Sequence, residues 1–322
     1  MKTLALLLVL CVSVVSLSEE NRLVVHEWGT FTSLQDEAGN AIGGINTDDE
    51  PVPAFVHNIA RGLLLSQSEL PPIFFQGTPQ CHPGVTMRLE TPVLYFHASH
   101  EFRGRVDVCV EFTGGWLTQY YPDALAVAPG ADGYKFGELT AGTTGSLTWH
   151  NLEINAANSG PETGDHVWTA PRAVQALQVK TEKGESEKYL FYRGVGHLEA
   201  PLIVTRRENT LQIAANAANT PAIPMLWYAD IRKDGTAAYR TIRGAENAAV
   251  LAETPARFAE TDYKQTSIAA LRGDMCASLL SAGLNGDEAD ALLNTWELSY
   301  FKSAGARLFF LVPQEWKKAS CR

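Results

Sequence analysis

The sequence predicts an α+β protein, mainly antiparallel β and sandwich-like, with a small helical segment before the last strand. Three observations carry this. Short β-branched or alternating segments recur until about residue 250, helical spacing takes over after Thr261, and an apolar run at residues 308–312 returns the chain to a sheet. The expected division is a leader at 1–18, a β-rich domain at 19–255, and a helical segment plus final strand at 256–322 that packs on the same core.

The elements follow in chain order. Residues 4–15 are nearly unbroken Leu, Val and Ala behind Lys2, with the small residues Ser16 and Ser18 after them. This is the outline of a signal peptide cut near Ser18, since a dozen apolar residues fall short of the ~20 that span a bilayer as a helix. A lipoprotein reading of Cys11 is disfavoured because Leu10 rather than a small residue precedes it. No later segment is apolar enough to span a membrane, so the expected mature protein is exported and soluble, periplasmic or extracellular. Strands are expected at 22–25, 93–96, 106–112, 145–154, 189–192, 202–206 and 211–215. A hairpin is expected over 225–242, turning at Asp234-Gly235, where a glycine supplies the positive φ of a tight turn. Residues 126–142, rich in Gly and Ala, read as a surface loop. Ile268, Leu271, Met275 and Leu279 follow helical spacing. A second helix is expected from Asp287 to about Phe301, with Asp287 and Glu288 suited to its positive N-terminus and Ala289, Leu292, Leu293 and Trp296 on its apolar stripe.

Charge and cysteines narrow the function classes. With 36 acidic against 26 basic residues and no long basic run, nucleic acid is excluded as the expected partner. Of five cysteines, Cys11 belongs to the leader; the even remainder, Cys81, Cys109, Cys276 and Cys321, reads as disulfides in an exported chain. Order favours Cys81 with Cys109 and Cys276 with Cys321, although three pairings are open. No C-x-x-C is present, which disfavours a zinc knuckle or a thioredoxin-type site.

Three segments are chemically dense. His26-Glu27-Trp28-Gly29-Thr30 begins like H-E-x-x-H but has Thr30 where the second histidine must stand, and in a strand His26 and Glu27 point to opposite faces. Asn46-Thr47-Asp48-Asp49-Glu50-Pro51 collects oxygen donors for a calcium ion, but without the twelve-residue loop pattern a solvated acidic turn is the commoner reading. Around Cys81-His82-Pro83 and His97-Ala98-Ser99-His100 the histidines are dense: five of eight lie in the first hundred residues. Neutral imidazoles with a carboxylate suit zinc or copper, and His26, His57 and His82 are the ligands the sequence favours. The competing reading is of histidines tied to backbone.

Other catalytic patterns fail. G-x-S-x-G and the phosphate-binding G-x-x-x-x-G-K-[ST] are absent, Gly194-Val195-Gly196 lacks the third glycine of a dinucleotide loop, and Ser299 to Lys302 matches S-x-x-K by chance. Paired carboxylates of a glycosidase have no local signature; Glu27, Glu90, Glu111 and Asp123 are the candidates. Trp116, Tyr120 and Tyr121 offer aromatic faces for a sugar ring, with core packing as the alternative.

Val25-His26-Glu27-Trp28-Gly29-Thr30-Phe31-Thr32-Ser33, Leu89-Glu90-Thr91-Pro92-Val93-Leu94-Tyr95-Phe96, Leu190-Phe191-Tyr192-Arg193-Gly194-Val195-Gly196 and Thr295-Trp296-Glu297-Leu298-Ser299-Tyr300-Phe301 together resemble a family of exported bacterial proteins marked by an HEWGTFT block, with no assigned activity. The resemblance implies a bacterial, exported origin and points to His26, Glu27, Trp28, Glu90 and Arg193 within its blocks. Its pattern carries an aromatic residue at the position of His97, and similar sequences run on beyond that of Trp316. Two functional classes follow. The favoured one is a non-catalytic module that binds a polysaccharide or envelope component through Trp116, Tyr120 and Tyr121. The alternative is a metal-assisted hydrolase or oxidoreductase using zinc or copper rather than calcium, with Glu27, Glu90 and Arg193 as catalytic residues, Arg193 binding an anionic or carbonyl oxygen.

Overall fold

Side chains that alternate between two cores, as Val93 and Tyr95 do against Leu94 and Phe96, divide one large sheet into two apolar faces, and this organises the molecule. The computed structural model describes residues 4–13, 23–45, 51–59, 82–98, 102–132, 135–216, 222–244 and 250–321. The acidic run Asn46 to Glu50, Cys81, His100 and the expected cleavage region around Ser18 lie outside the described residues.

The large sheet contains β1 (Leu4–Ser13), β2 (Leu23–Leu34), β3 (His57–Asn58), β4 (Met87–Ala98), β5 (Gly104–Thr113), β6 (Gly115–Tyr121) and β7 (Leu125–Val127). After a short ribbon, β8 (Ala131–Asp132) with β9 (Lys135–Phe136), it adds β10 (Thr144–Ile154), β11 (Val179–Lys180), β12 (Ser186–Glu187) and β13 (Leu190–Gly196). Its order is β1-β2-β4-β13-β6-β10-β11-β12, with β3 on β6 and β5 and β7 on β10. Pairing is antiparallel throughout except one parallel contact between Thr144 and Gly115. The segment expected to be a leader runs here as β1, with Leu4 opposite Leu34 and Ser13 opposite Val25.

Two three-stranded sheets complete the β architecture. One is β14 (Leu202–Arg207), β15 (Thr210–Ala215) and β18 (Val250–Pro255); the other is β17 (Ala237–Arg243), β16 (Met225–Ile231) and β19 (Gly305–Phe310). The hairpin at Asp234-Gly235 forms as expected: Gly235 has φ +83° and the Arg232 amide donates to the Thr236 carbonyl. One face of the large sheet packs on these sheets through Phe31, Leu89, Phe96, Leu147, Ile213 and Phe310. The other meets α1 (His166–Arg172), α2 (Ser267–Ser281) and α3 (Gly286–Thr295) through Trp28, Tyr95, Trp168, Met275, Leu292 and Phe309. The chain is thus an α+β protein, mainly antiparallel, with sandwich-like layers, and β19 pairing on β16 ties the C-terminal segment to the same core.

The helices follow their sequence signals at the start and depart from them at the end. Leu271, Met275 and Leu279 of α2 are buried, as their spacing requires. α3 stops at Thr295 rather than near Phe301, and residues 298–302 form a wider π-type turn. The buried Arg307 guanidinium donates to the carbonyls of Ser299, Tyr300 and Ser303, supplying partners to acceptors in and just after this turn that would otherwise be left without them. α4 (Gln314–Ser320) closes the chain.

The disulfide expectation is corrected. Cys109, Cys276 and Cys321 are free thiols. Cys276 packs on the helix-side core and Cys321 lies in the opposite one, so the sheet separates them, while Cys109 sits exposed on β5. Among the described residues, no helix is long and apolar enough to cross a membrane.

A candidate metal centre between the sheet and a helix

The strand alternation noted in the sequence decides where the HEWGTFT block sends its side chains. His26 and Trp28 face the helices, and Glu27 faces the opposite core. On β4, Tyr95 and His97 share the helix-side face. The register places His26 opposite Tyr95 and Val24 opposite His97, so the two histidines are diagonal neighbours whose ring centroids lie 5.1 Å apart.

The third group comes from far along the chain. Asn285 caps α3, and Glu288, in its first turn, projects onto the sheet. His26 Nδ1 lies 2.8 Å from Glu288 Oε2 and 3.0 Å from Oε1, and His97 Nε2 lies 2.8 Å from Oε1. The Asn285 amide donates to Oε2 at 2.7 Å. Burial alone would raise the Glu288 carboxyl. The hydrogen bonds from His26, His97 and the Asn285 amide, with the charge on His26, outweigh it and hold the group down at about 2. The Glu288 side chain is fully enclosed, while those of His26 and His97 retain 12% and 18% of their exposure, so solvent reaches the imidazole side.

The donor atoms of His26, His97 and Glu288 lie within 4.8 Å of one another. Tetrahedral ligands about 2.1 Å from a zinc ion stand about 3.4 Å apart, so the carboxylate, now 2.8 Å from each imidazole nitrogen, would have to withdraw by about half an ångström from both to admit a metal. Two imidazole nitrogens and one carboxylate oxygen form the donor set of three-ligand centres, in which water or substrate takes the remaining position.

His26 alone of the three expected ligands joins this centre. His57 sits on β3, its Nε2 3.0 Å from both Glu185 oxygens and its ring stacked 5.4 Å from Tyr120. His82 is tied to backbone, with Nε2 2.8 Å from the Gly137 carbonyl and Nδ1 accepting from the Gly84 amide. The expected catalytic residues are engaged elsewhere. Glu27 is buried on the opposite face with the Tyr192 hydroxyl and the Lys317 ammonium. Glu90 pairs with Arg88 at 3.2 Å, and Arg193 donates to Thr91 Oγ1 from Nε and Nη2 at 3.1 and 3.0 Å. Of the remaining glycosidase candidates, Glu111 is exposed on β5 and Asp123 pairs with Lys183.

Trp116, Tyr120 and Tyr121 are only 0%, 6% and 3% exposed, and they fall in three different core clusters. They form no open stacking row for a sugar. The sequence reading missed Glu288 as a candidate ligand and the pairing of His97 with His26. A histidine on the same face of each of two neighbouring strands would have signalled the pair once their register was known; nothing local announces a glutamate 262 residues from His26.

No family model matches the chain, and no curated protein or solved structure matches it.

Proposed function

We propose that the protein is a metal-dependent enzyme, a hydrolase built on one zinc ion held by His26, His97 and Glu288. The observation that carries this reading is the convergence of the three donor atoms within 4.8 Å on the partly solvent-reached edge of a packed interface. Three protein ligands leave a coordination position for water, and a bound zinc ion lowers the pKa of that water toward neutrality and polarises a carbonyl or phosphoryl oxygen. The same donors also accept copper, with which the centre would be an oxidoreductase; the identity of the metal decides between the two.

The test is elemental analysis of untagged protein purified without chelator, beside His26→Ala and Glu288→Gln variants of verified fold. Near-stoichiometric zinc in the parent that is lost in both variants is the expected result. Folded parent protein that takes up neither zinc nor copper when dialysed against them removes the reading.

A further inference from the structure

The polar contacts of the Glu288 carboxylate are of two kinds, which a bound metal would affect differently. The imidazole contacts run through His26 Nδ1 and His97 Nε2, the nitrogens that a metal would occupy. Once those nitrogens carry metal they no longer carry protons, and their hydrogen bonds to the carboxylate end. The third contact is of another kind. The Asn285 amide donates to Oε2 at 2.7 Å, and a main-chain N–H has no tautomer to retreat to. It is fixed at the N-cap of a ten-residue helix, where φ −69° and ψ 160° aim it back at the third residue.

We infer that the Asn285 main-chain amide is the positioning group of the centre: it retains Oε2 and presents Oε1 alone to the metal. This rests on the metal reading above and adds the ligation mode. A one-oxygen Glu288 leaves three protein ligands and an open site; a two-oxygen Glu288 would fill a position that a water or substrate needs. Hydrogen-bonded carboxylates of this kind are a general means of orienting a ligand, and their loss typically weakens metal binding by about 10- to 100-fold. Because the main-chain amide rather than the side chain holds Oε2, Asn285→Ala keeps that contact and loses only the side-chain cap on the Glu288 N–H.

Replacement by proline isolates that N–H, because a proline ring fits φ near −65° and removes the donor without touching a ligand. Co2+ binding to the full chain is measured by calorimetry and visible absorption for the parent, Asn285→Ala and Asn285→Pro. Asn285→Ala should bind like the parent with the same spectrum. Asn285→Pro should bind about 10- to 100-fold more weakly, with the fainter absorption of a higher coordination number as the carboxylate turns to offer both oxygens. A mere loss of helix stability would not change the spectrum of bound cobalt.

Parent-like affinity and spectrum in Asn285→Pro overturn the inference and leave the metal reading standing. Failure of the folded parent to bind Co2+ overturns both. Should Asn285→Pro not fold, infrared difference spectra of the cobalt-loaded parent against Glu288→Gln decide. A wide separation of the two carboxylate stretches marks one-oxygen ligation as expected, and a narrow separation overturns it.

Discussion

Replacing Glu288 by glutamine in chelator-treated protein should destabilise the fold strongly at neutral pH and hardly at all in acid. The carboxyl has an ordinary value of 4.5 and is held at about 2 in the folded chain. At about 1.4 kcal/mol per unit, this difference corresponds to about 3 kcal/mol of stability that depends on ionised Glu288. The side chain is enclosed but its two imidazole partners are partly reached by solvent, so screening makes this an upper figure. The unfolded chain takes up the proton first as pH falls. The contribution is therefore complete well above pH 4.5, drains between 4.5 and 2, and stands below about 1 kcal/mol near pH 2.5. Urea unfolding of parent and Glu288→Gln at pH 7, 4.5, 3.5 and 2.5 reads it directly. The gap between the two should close across that range. Curves that stay parallel from neutral pH to pH 2.5 would refute the assignment of the stabilisation to an ionised Glu288 held by the two imidazoles and the Asn285 amide.

Further expectations follow from other contacts. Lys317→Met strands the buried Glu27 carboxylate and should cost about 3–5 kcal/mol in chemical denaturation, part of which Glu27→Gln in the same chain restores. Gly29→Ala places a Cβ 2.8 Å from Pro92 Cα, at the slip between β2 and β4, and should cost about 1–3 kcal/mol; Gly164→Ala, with nothing within 4 Å, is the neutral control. Maleimide labelling read by peptide mapping should modify native Cys109 quickly and Cys321 only after unfolding. Burial, with the charge of Glu27, pushes the Cys321 thiol up to about 12, so equal rates would contradict its placement.

Local pattern carried most of the fold and little of the site. The hairpin at Gly235 and the apolar stripes of α2 and α3 were legible because turn chemistry and helical spacing are properties of neighbouring residues. The first strand was expected to end at Val25, yet β2 runs unbroken from Leu23 to Leu34, because the register slip between Trp28 and Thr30 absorbs Gly29 without ending the strand. Residues 115–121 went unnoticed as a strand: β6 is buried at every position and so shows no alternation. Glu288 had been read as a helix-start residue, which it is; its second role depends on how α3 lies on the sheet, and no sequence spacing encodes that. Cysteine order misled for the same reason, since it carries no information about which side of a sheet each thiol occupies.

The two polar residues that begin the HEWGTFT block wait for opposite ends of the same late segment. His26 meets Glu288 across 262 residues, and Glu27 meets Lys317 across 290. Synthesis delivers β2 long before Glu288 or Lys317 exists, so these two contacts form only when the chain is nearly complete, and closing such long loops is a slow step. Both faces of β2 therefore depend on the tail: cleavage just before Glu288 would take Glu288 from His26 and Lys317 from Glu27 together, leaving Glu27 with Tyr192, and would silence the centre without touching either histidine.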